Sequence, residues 1–239
     1  MFYTYIRGGK FFFLVSFKSR KGCFIFNEET KTMKKQAGFT LVEIAIVMVI
    51  IGLLLGGVLK GQEIITNAKI KNLENDFTGV TAAIYSYQDR YRALPGDDVR
   101  ASERFSAAIS IPSGDGDGEI NGYFNDKSLT PTVESRYFWT HLRSAGLVAG
   151  AGDDNKQPTH AFGGVVGVST DDVGLSIPGL YVGFSQVPNN IAQVIEARTD
   201  DAKPDSGNIQ GLLTGGTGGT APTTYSSPTK QLFDLYFSL

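Results

Sequence analysis

An acidic, glycine-rich stretch at residues 113–122 has side chains of the kind and order found in metal-binding loops. Asp115 and Asp117 alternate with glycines, Gly118 permits a sharp turn, and Asn121 follows shortly after. These side chains offer hard oxygen ligands, which calcium takes in proteins, whereas zinc favours nitrogen and sulfur. The sequence therefore predicts a calcium site at Asp115, Asp117 and Asn121.

The spacing of this stretch is close to the front half of an EF-hand loop, and Glu119 stands where a backbone carbonyl ligand belongs. Two positions depart from that pattern. Ser113 replaces the first acid, and Phe124 stands where the bidentate glutamate belongs. The missing ligands would have to come from elsewhere, and the candidates are Asp97, Asp98 and Asp126. The alternative is a solvated Gly-Asp turn without a metal.

The sequence lacks the common catalytic and cofactor-binding motifs. No GxSxG, HExxH, P-loop or dinucleotide-binding glycine pattern occurs. The two histidines, His141 and His160, lack the spacing of a metal pair. A hydrolase that uses two carboxylates stays an alternative, but nothing in the sequence selects a pair. We expect a protein that is not an enzyme.

A membrane-length apolar segment occupies residues 39–59, where Glu43 is the only charge. A helix needs about 20 apolar residues to span a bilayer core. Lys34 and Lys35 precede the segment, so its N-terminal side should stay in the cytoplasm and the rest of the chain should face outward. A cleaved secretory signal is the competing interpretation, but its apolar core is usually only ~7–15 residues.

The presence of a carboxylate, Glu43, inside this apolar segment requires an explanation. An acid at the centre of a membrane helix costs about 2.5–3.5 kcal/mol on insertion scales. Glu43 could lie near the interface and face lipid headgroups. Alternatively, a cut between Gly38 and Phe39 would create an α-ammonium group one helical turn away. On a neighbouring copy of the chain, that ammonium could pair with Glu43.

The segment KKQAGFTLVEIAIVMVIIGLL resembles the class III signal of type IV pilins and pseudopilins. The matching positions are Lys34, Gly38, Phe39, Thr40, Leu41, Glu43 and the apolar run behind them. The resemblance implies that a prepilin peptidase cuts after Gly38 and methylates Phe39. It also implies that Glu43 acts in assembly with other subunits.

One departure from the family concerns the outer end of the helix. Many type IVa pilins have a kink-forming proline there, and this chain has Lys60. Four glycines could supply a bend or close helix contacts, or could reflect ordinary membrane-helix composition: Gly52, Gly56, Gly57 and Gly61.

The resemblance divides the chain into four parts. Residues 1–38 are a leader removed by the peptidase, and its true start is suspected at Met33 because MKKQAG is one complete leader. An extended leader is the alternative. Residues 39–59 form the transmembrane and assembly helix, 60–94 the amphipathic half of the same helix, and 95–239 a periplasmic head.

The predicted secondary structure begins with one long helix. Apolar residues recur at steps of three and four, which predicts one stripe of an amphipathic helix. The stripe comprises Ile70, Leu73, Phe77, Val80, Ile84, Tyr87, Tyr91 and Leu94. The helix is predicted from Phe39 to about Arg92, and Pro95 and Gly96 should end it. Packing on a sheet is favoured over a coiled-coil seam.

The head is predicted to contain a second helix and several strands. Thr130 and Pro131 suit a helix start and Gly146 a helix end. Strands are predicted within 161–170, 179–187 and 231–239, whereas 189–198 suits a strand or a helix from Asn190. Residues 214–229 suit a surface loop, and 197–208 is a second acidic loop that contains Asp200, Asp201 and Asp205. The resemblance implies calcium in a C-terminal loop, as in major pseudopilins, but it assigns no ligand in this loop residue by residue. The fold class is α+β, a long N-terminal helix on a small antiparallel sheet with a short second helix, as in pilins.

Composition restricts the function classes further. Residues 1–38 hold eight Lys/Arg against two Glu, whereas the rest of the chain holds fourteen against twenty-two acids. Such an acidic body argues against a broad nucleic-acid surface. Cys23, the only cysteine, lies before the apolar run, so no disulfide can staple the head.

These features together predict a structural subunit of a type IV pilus or a type II secretion pseudopilus. Its expected partners are the prepilin peptidase, other pilin subunits and an inner-membrane assembly platform. Its expected location is the bacterial inner membrane, followed by a periplasmic or surface filament. The alternatives are a minor tip pilin that acts as a calcium-dependent adhesin or substrate-binding module, and a plain single-span membrane protein.

Overall fold

The computed structural model describes residues 4–7, 10–13, 38–105, 111–126, 133–214, 222, 224–225 and 231–239. Its helices are α1 (Leu41–Tyr91), α2 (Ala101–Phe105), α3 (Glu134–Ser144) and α4 (Asn189–Thr199). Its strands are β1 (Thr4–Arg7), β2 (Lys10–Phe13), β3 (Val166–Ser169), β4 (Tyr181–Pro188), β5 (Ile209–Leu213) and β6 (Leu232–Ser238). The chain divides into two compact units, 1–51 and 52–239.

The first unit contains β1 and β2, which pair antiparallel with each other. The second unit contains a four-stranded antiparallel sheet in the order β3-β4-β6-β5. The predicted α+β class, with a long helix on a small antiparallel sheet, is therefore confirmed.

The second half of α1 packs on that sheet through the predicted stripe. Its buried residues are Ile70, Leu73, Val80, Ala83, Ile84 and Tyr87. The ring of Phe77 lies 5.1 Å from that of Phe237 on β6, and Phe237 in turn lies 5.1 Å from Phe184 on β4. Because the stripe meets aromatic side chains of the sheet, packing on a sheet is confirmed for this half of the helix.

The end of α1 falls where the sequence predicts it. Arg92, directly after the helix, has φ 57°, and Gly96 has φ 100°. Both angles lie in the left-handed region, which reverses the chain and which glycine adopts at no steric cost. Pro95 between them could not continue the helix.

The short second helix is α3, and its C-terminal signal is confirmed. Gly146 follows the C-cap residue Ala145 and has φ 70°. At the N-terminus the cap position is Val133, which makes no side-chain capping bond. The predicted start signals, Thr130 and Pro131, lie outside the described residues.

The rest of the head agrees with the sequence-based expectation only in part. Residues Asn189–Thr199 form the helix α4, which was one of the two alternatives for this segment. The five-residue elements α2 and β5 were not predicted. Most of the predicted surface loop at 214–229 lies outside the described residues, but Tyr225 within it is buried.

Candidate functional site

The junction at Gly38 and Phe39 directly precedes α1 and is exposed. A Cβ added to Gly38 would meet no atom within 4 Å. Within the part of the chain that the structure describes, the fold therefore does not require glycine at this position. A requirement for a small residue at 38 is expected to come from a partner that binds the segment.

Glu43 and Thr40 form a reciprocal cap at the start of α1. The Thr40 backbone N–H and hydroxyl donate to Oε2 of Glu43 at 2.8 and 2.7 Å. In return, the Glu43 backbone N–H donates to the Thr40 hydroxyl at 3.3 Å. This is the capping-box arrangement, which satisfies backbone donors that the first turn of a helix leaves without partners. The carboxylate of Glu43 therefore has local partners within its own chain.

The apolar residues that follow are exposed along the first half of α1. Leu41 and Leu53 are 88% and 72% exposed. By length and composition this stretch is able to cross a membrane, and none of it is buried in the protein. The helix is therefore consistent with an inner-membrane anchor.

The acidic loop at 113–122 wraps around two buried acids from other parts of the chain. Asp97, from the turn after α1, accepts hydrogen bonds from the backbone N–H groups of Gly116 and, at 2.9 Å, Gly118. Glu134, from the first turn of α3, accepts from the backbone N–H of Asp115 at 3.0 Å and of Asn121 at 3.1 Å. The loop thus places its backbone donors on two carboxylates.

Close approach of the loop to the turn also explains one of its glycines. A Cβ on Gly114 would lie 2.3 Å from the Asp97 Cα, a distance that side chains do not tolerate. Gly114 is therefore required because backbone passes against backbone at this point.

Negative charge accumulates where the loop meets these acids. One carboxylate oxygen from each of Asp97, Asp115, Asp117 and Glu134 lies within 4.8 Å of the others. Burial raises the pKa of Asp97 and of Glu134, and the charges of neighbouring acids raise both pKa values further. The backbone hydrogen bonds oppose that shift because they favour the charged carboxylates.

The predicted ligands are only partly brought together. Asp115 and Asp117 lie in the cluster, as does Asp97, which was a candidate for completing the set. The side-chain amide of Asn121 instead donates to Glu134 at 3.2 Å. Asp98 accepts from the Tyr87 hydroxyl at 2.8 Å and forms an ion pair with Arg104.

For two further residues of this region, the structure differs from the sequence-based prediction of metal ligands. Glu134 was missed, because nothing in the spacing links the first turn of α3 to a loop that ends 12 residues earlier. Asp126, a candidate for a further ligand, offers its backbone carbonyl to Arg136 at 3.2 Å. The calcium site at Asp115, Asp117 and Asn121 stays a prediction.

Both histidines are buried, and their rings form hydrogen bonds with backbone groups. Nδ1 of His141 accepts from the Gly96 backbone N–H at 2.9 Å, and its Nε2 bonds the Pro112 carbonyl at 2.8 Å. Nε2 of His160 bonds the Ser185 carbonyl at 2.7 Å. Burial lowers the pKa of both imidazoles, which keeps them neutral near pH 7. Their contacts fit a structural role.

The contacts of His141 predict a large loss of stability on truncation. We expect His141→Ala to lower the free energy of unfolding by about 2–4 kcal/mol, because it leaves a buried backbone N–H and a partly buried carbonyl without their partner. Urea unfolding of the full chain in detergent measures this loss. The control is Tyr85→Ala, which removes an exposed aromatic from α1 and should change stability by less than about 0.5 kcal/mol. Equal midpoints for the two variants would contradict the role of His141.

Comparisons with known proteins bear on the N-terminal segment. Residues 33–59 match the family model of the prokaryotic N-terminal methylation motif, which is the type IV prepilin signature. Comparisons with curated proteins and with solved structures gave no match. The motif supports a protein similar to type IV pilins and pseudopilins, a family that is structural and not enzymatic, and it implies processing by a prepilin peptidase.

Proposed function

We propose that this protein is a filament subunit of a type IV pilus or a type II secretion pseudopilus. Prepilin peptidase cuts it after Gly38 and methylates Phe39. The mature chain then waits in the inner membrane with its head, residues 95–239, in the periplasm. From there it assembles through the N-terminal half of α1.

The observation that carries this proposal is the methylation motif at 33–59, which runs directly into an exposed apolar helix. The apolar side chains of this stretch need either lipid or other subunits around them. Within a filament, close packing with the same stretch of neighbouring copies supplies the affinity, as in membrane helix bundles. Gly52, Gly56 and Gly57 carry no side chain that would keep neighbouring backbones apart.

The chemistry of assembly centres on Glu43. Before assembly, Thr40 keeps its carboxylate hydrogen-bonded. Cleavage creates an α-ammonium group on Phe39, which is a stronger partner for a carboxylate than a neutral donor. When helices pack side by side, the ammonium of one copy pairs with Glu43 of the next. A buried pair of this kind selects the register of packing more than it adds to affinity.

The mature N-terminus tests the proposal. We expect mass spectrometry of the protein from cells that contain prepilin peptidase to find a chain that begins at N-methylated Phe39. In the same cells without the peptidase, the chain should retain Lys34 and Lys35. A mature chain that still carries these lysines in the presence of the peptidase refutes the proposal.

A further inference from the structure

A cavity opens between the second half of α1, the helix α3 and the segment that leads to β3. Its volume is about 320 Å³, which is the size of a small-ligand site, roughly 300–1,000 Å³. Its apolar walls are Val80, Leu147, Val148, Pro158 and Val166. Its remaining lining residues are Asn75, Asp76, Gly79, Trp139 and Thr159. Apolar walls with a few polar groups are the composition that small-molecule sites have.

Gly79 keeps this cavity open on the side of α1. It lies in the interior of the helix, where glycine is about 1 kcal/mol less favourable than alanine. A Cβ added to Gly79 would meet no described atom within 4 Å, so packing among the described residues does not require a glycine. Because Gly79 lines the cavity, a larger side chain at this position would take up its space.

Trp139 brings a buried donor without a partner to the cavity. Only 1% of this residue is exposed, and its indole N–H has no hydrogen-bond partner among the described residues. Buried polar atoms in native proteins are nearly always satisfied, and the indole nitrogen can only donate. A molecule in the cavity that offers an acceptor would satisfy this donor.

Asp76 brings a half-buried carboxylate to the same cavity. In the part of the chain that the structure describes, no Lys or Arg forms an ion pair with it. Burial raises the pKa of Asp76, and the nearby His160 opposes that shift. His160, however, accepts from the Phe162 backbone N–H through Nδ1 and bonds the Ser185 carbonyl through Nε2, which is the pattern of a neutral imidazole.

Two cationic side chains of this region have other partners. Nζ of Lys69 lies over the ring of Phe162, 5.7 Å from its centre. The guanidinium of Arg143 donates to the backbone carbonyls of Asp154 and, at 2.7 Å, Lys156. A positive charge that compensates Asp76 is therefore expected from a ligand, and it would offset the desolvation of the carboxylate.

We propose that this cavity binds a small apolar ligand that carries an α-ammonium group next to a carbonyl. The ammonium pairs with Asp76, the carbonyl accepts from the indole N–H of Trp139, and the apolar side chain of the ligand lies against the apolar walls. Charge-assisted hydrogen bonds are about twice as strong as neutral ones, so the ammonium provides most of the selectivity. A free amino acid fits less well, because its own carboxylate would repel Asp76.

Two kinds of molecule share this chemistry, an amino-acid amide and the amino end of a peptide. Water could satisfy the two polar groups, but it would leave the apolar walls hydrated, and an apolar ligand gains free energy by displacing it. None of the lining residues belongs to the apolar segment at 39–59, so the site does not depend on the proposed filament function.

Fluorescence titration of the full chain in detergent micelles tests this site. Trp139 is the only tryptophan of the chain, so its emission reports directly on the cavity. We expect L-leucinamide to change this emission in a saturable way. N-acetyl-L-leucinamide lacks the ammonium group and should bind at least tenfold more weakly, and isoamylamine, which lacks the carbonyl, should also bind more weakly. Titration with leucyl-glycyl-glycinamide separates the two kinds of ligand, because only a site for peptide ends accepts it as tightly as L-leucinamide.

Two variants connect the binding to the cavity. We expect Asp76→Asn, which keeps the shape of the side chain, to weaken binding of L-leucinamide at least tenfold. Gly79→Leu should abolish binding without lowering the urea midpoint, because leucine is a better helix former than glycine. The matched control is Asp89→Asn on the same helix. Asp89 has a side chain that is 84% exposed, and its variant should bind as the wild type does.

The proposal is overturned if the wild type gives no saturable response, because the cavity would then hold water only. It is equally overturned if Gly79→Leu binds L-leucinamide as tightly as the wild type, or if Asp76→Asn does. The comparison of L-leucinamide with its acetylated form needs no variant, so it decides the role of the ammonium group even if a variant fails to fold. Equal binding of these two ligands would refute that role.

Discussion

Replacing Gly38 by leucine should leave the chain uncut in cells that contain prepilin peptidase. The reason lies outside the described part of the fold, because Gly38 is exposed and a Cβ there would meet no described atom within 4 Å. A protease must hold the residue before the scissile bond against its own surface, and a branched side chain obstructs that approach. We expect processing to be lost completely, with only the precursor on an immunoblot.

The matched control for this experiment is Gly38→Ala, which adds a single methyl group. We expect this variant to be processed, although more slowly. Urea unfolding of Gly38→Leu should match that of the wild type, which separates a failure of recognition from a failure to fold. A processed product from Gly38→Leu would show that the cut is made elsewhere or by an enzyme that accepts large residues.

Replacing Glu43 by valine should allow membrane insertion and cleavage but prevent filament assembly. Valine is at least as compatible with lipid as glutamate is, so the helix still inserts. In a filament, however, the ammonium group on Phe39 of the adjacent copy would have no partner. An unpaired buried charge of this kind costs about 3–5 kcal/mol, which predicts a loss of filaments of more than about a hundredfold.

Sheared-filament yield, normalised to the amount of processed protein in the membrane, measures this effect. The matched control is Glu63→Val, which changes the same residue type further along α1. Glu63 is exposed and forms an i,i+3 ion pair with Lys60 at 2.8 Å. Such surface pairs contribute less than about 1 kcal/mol, so the control should assemble nearly normally. Normal yield from Glu43→Val would rule out the proposed role of the acid.

The sequence pattern alone was sufficient to predict those elements whose residue pattern repeats over many positions. The apolar run at 39–59 and the three-four stripe from Ile70 to Tyr91 predicted α1, and Pro95 with Gly96 predicted its end. These signals are reliable because helix period, membrane thickness and backbone sterics act on neighbouring residues. The motif that carries the proposed function is of the same kind, since Gly38, Phe39 and Glu43 lie within six residues of one another.

Tertiary structure alone decided which acids meet. Spacing placed Asp115 and Asp117 together, but their buried neighbours Asp97 and Glu134 come from other elements. They come together because loop backbone donors satisfy carboxylates that the core has desolvated. In the same way, no local pattern could bring Tyr225 to Glu196, 29 residues away. Contacts between distant segments are set by packing of the whole head, and sequence period carries no information about them.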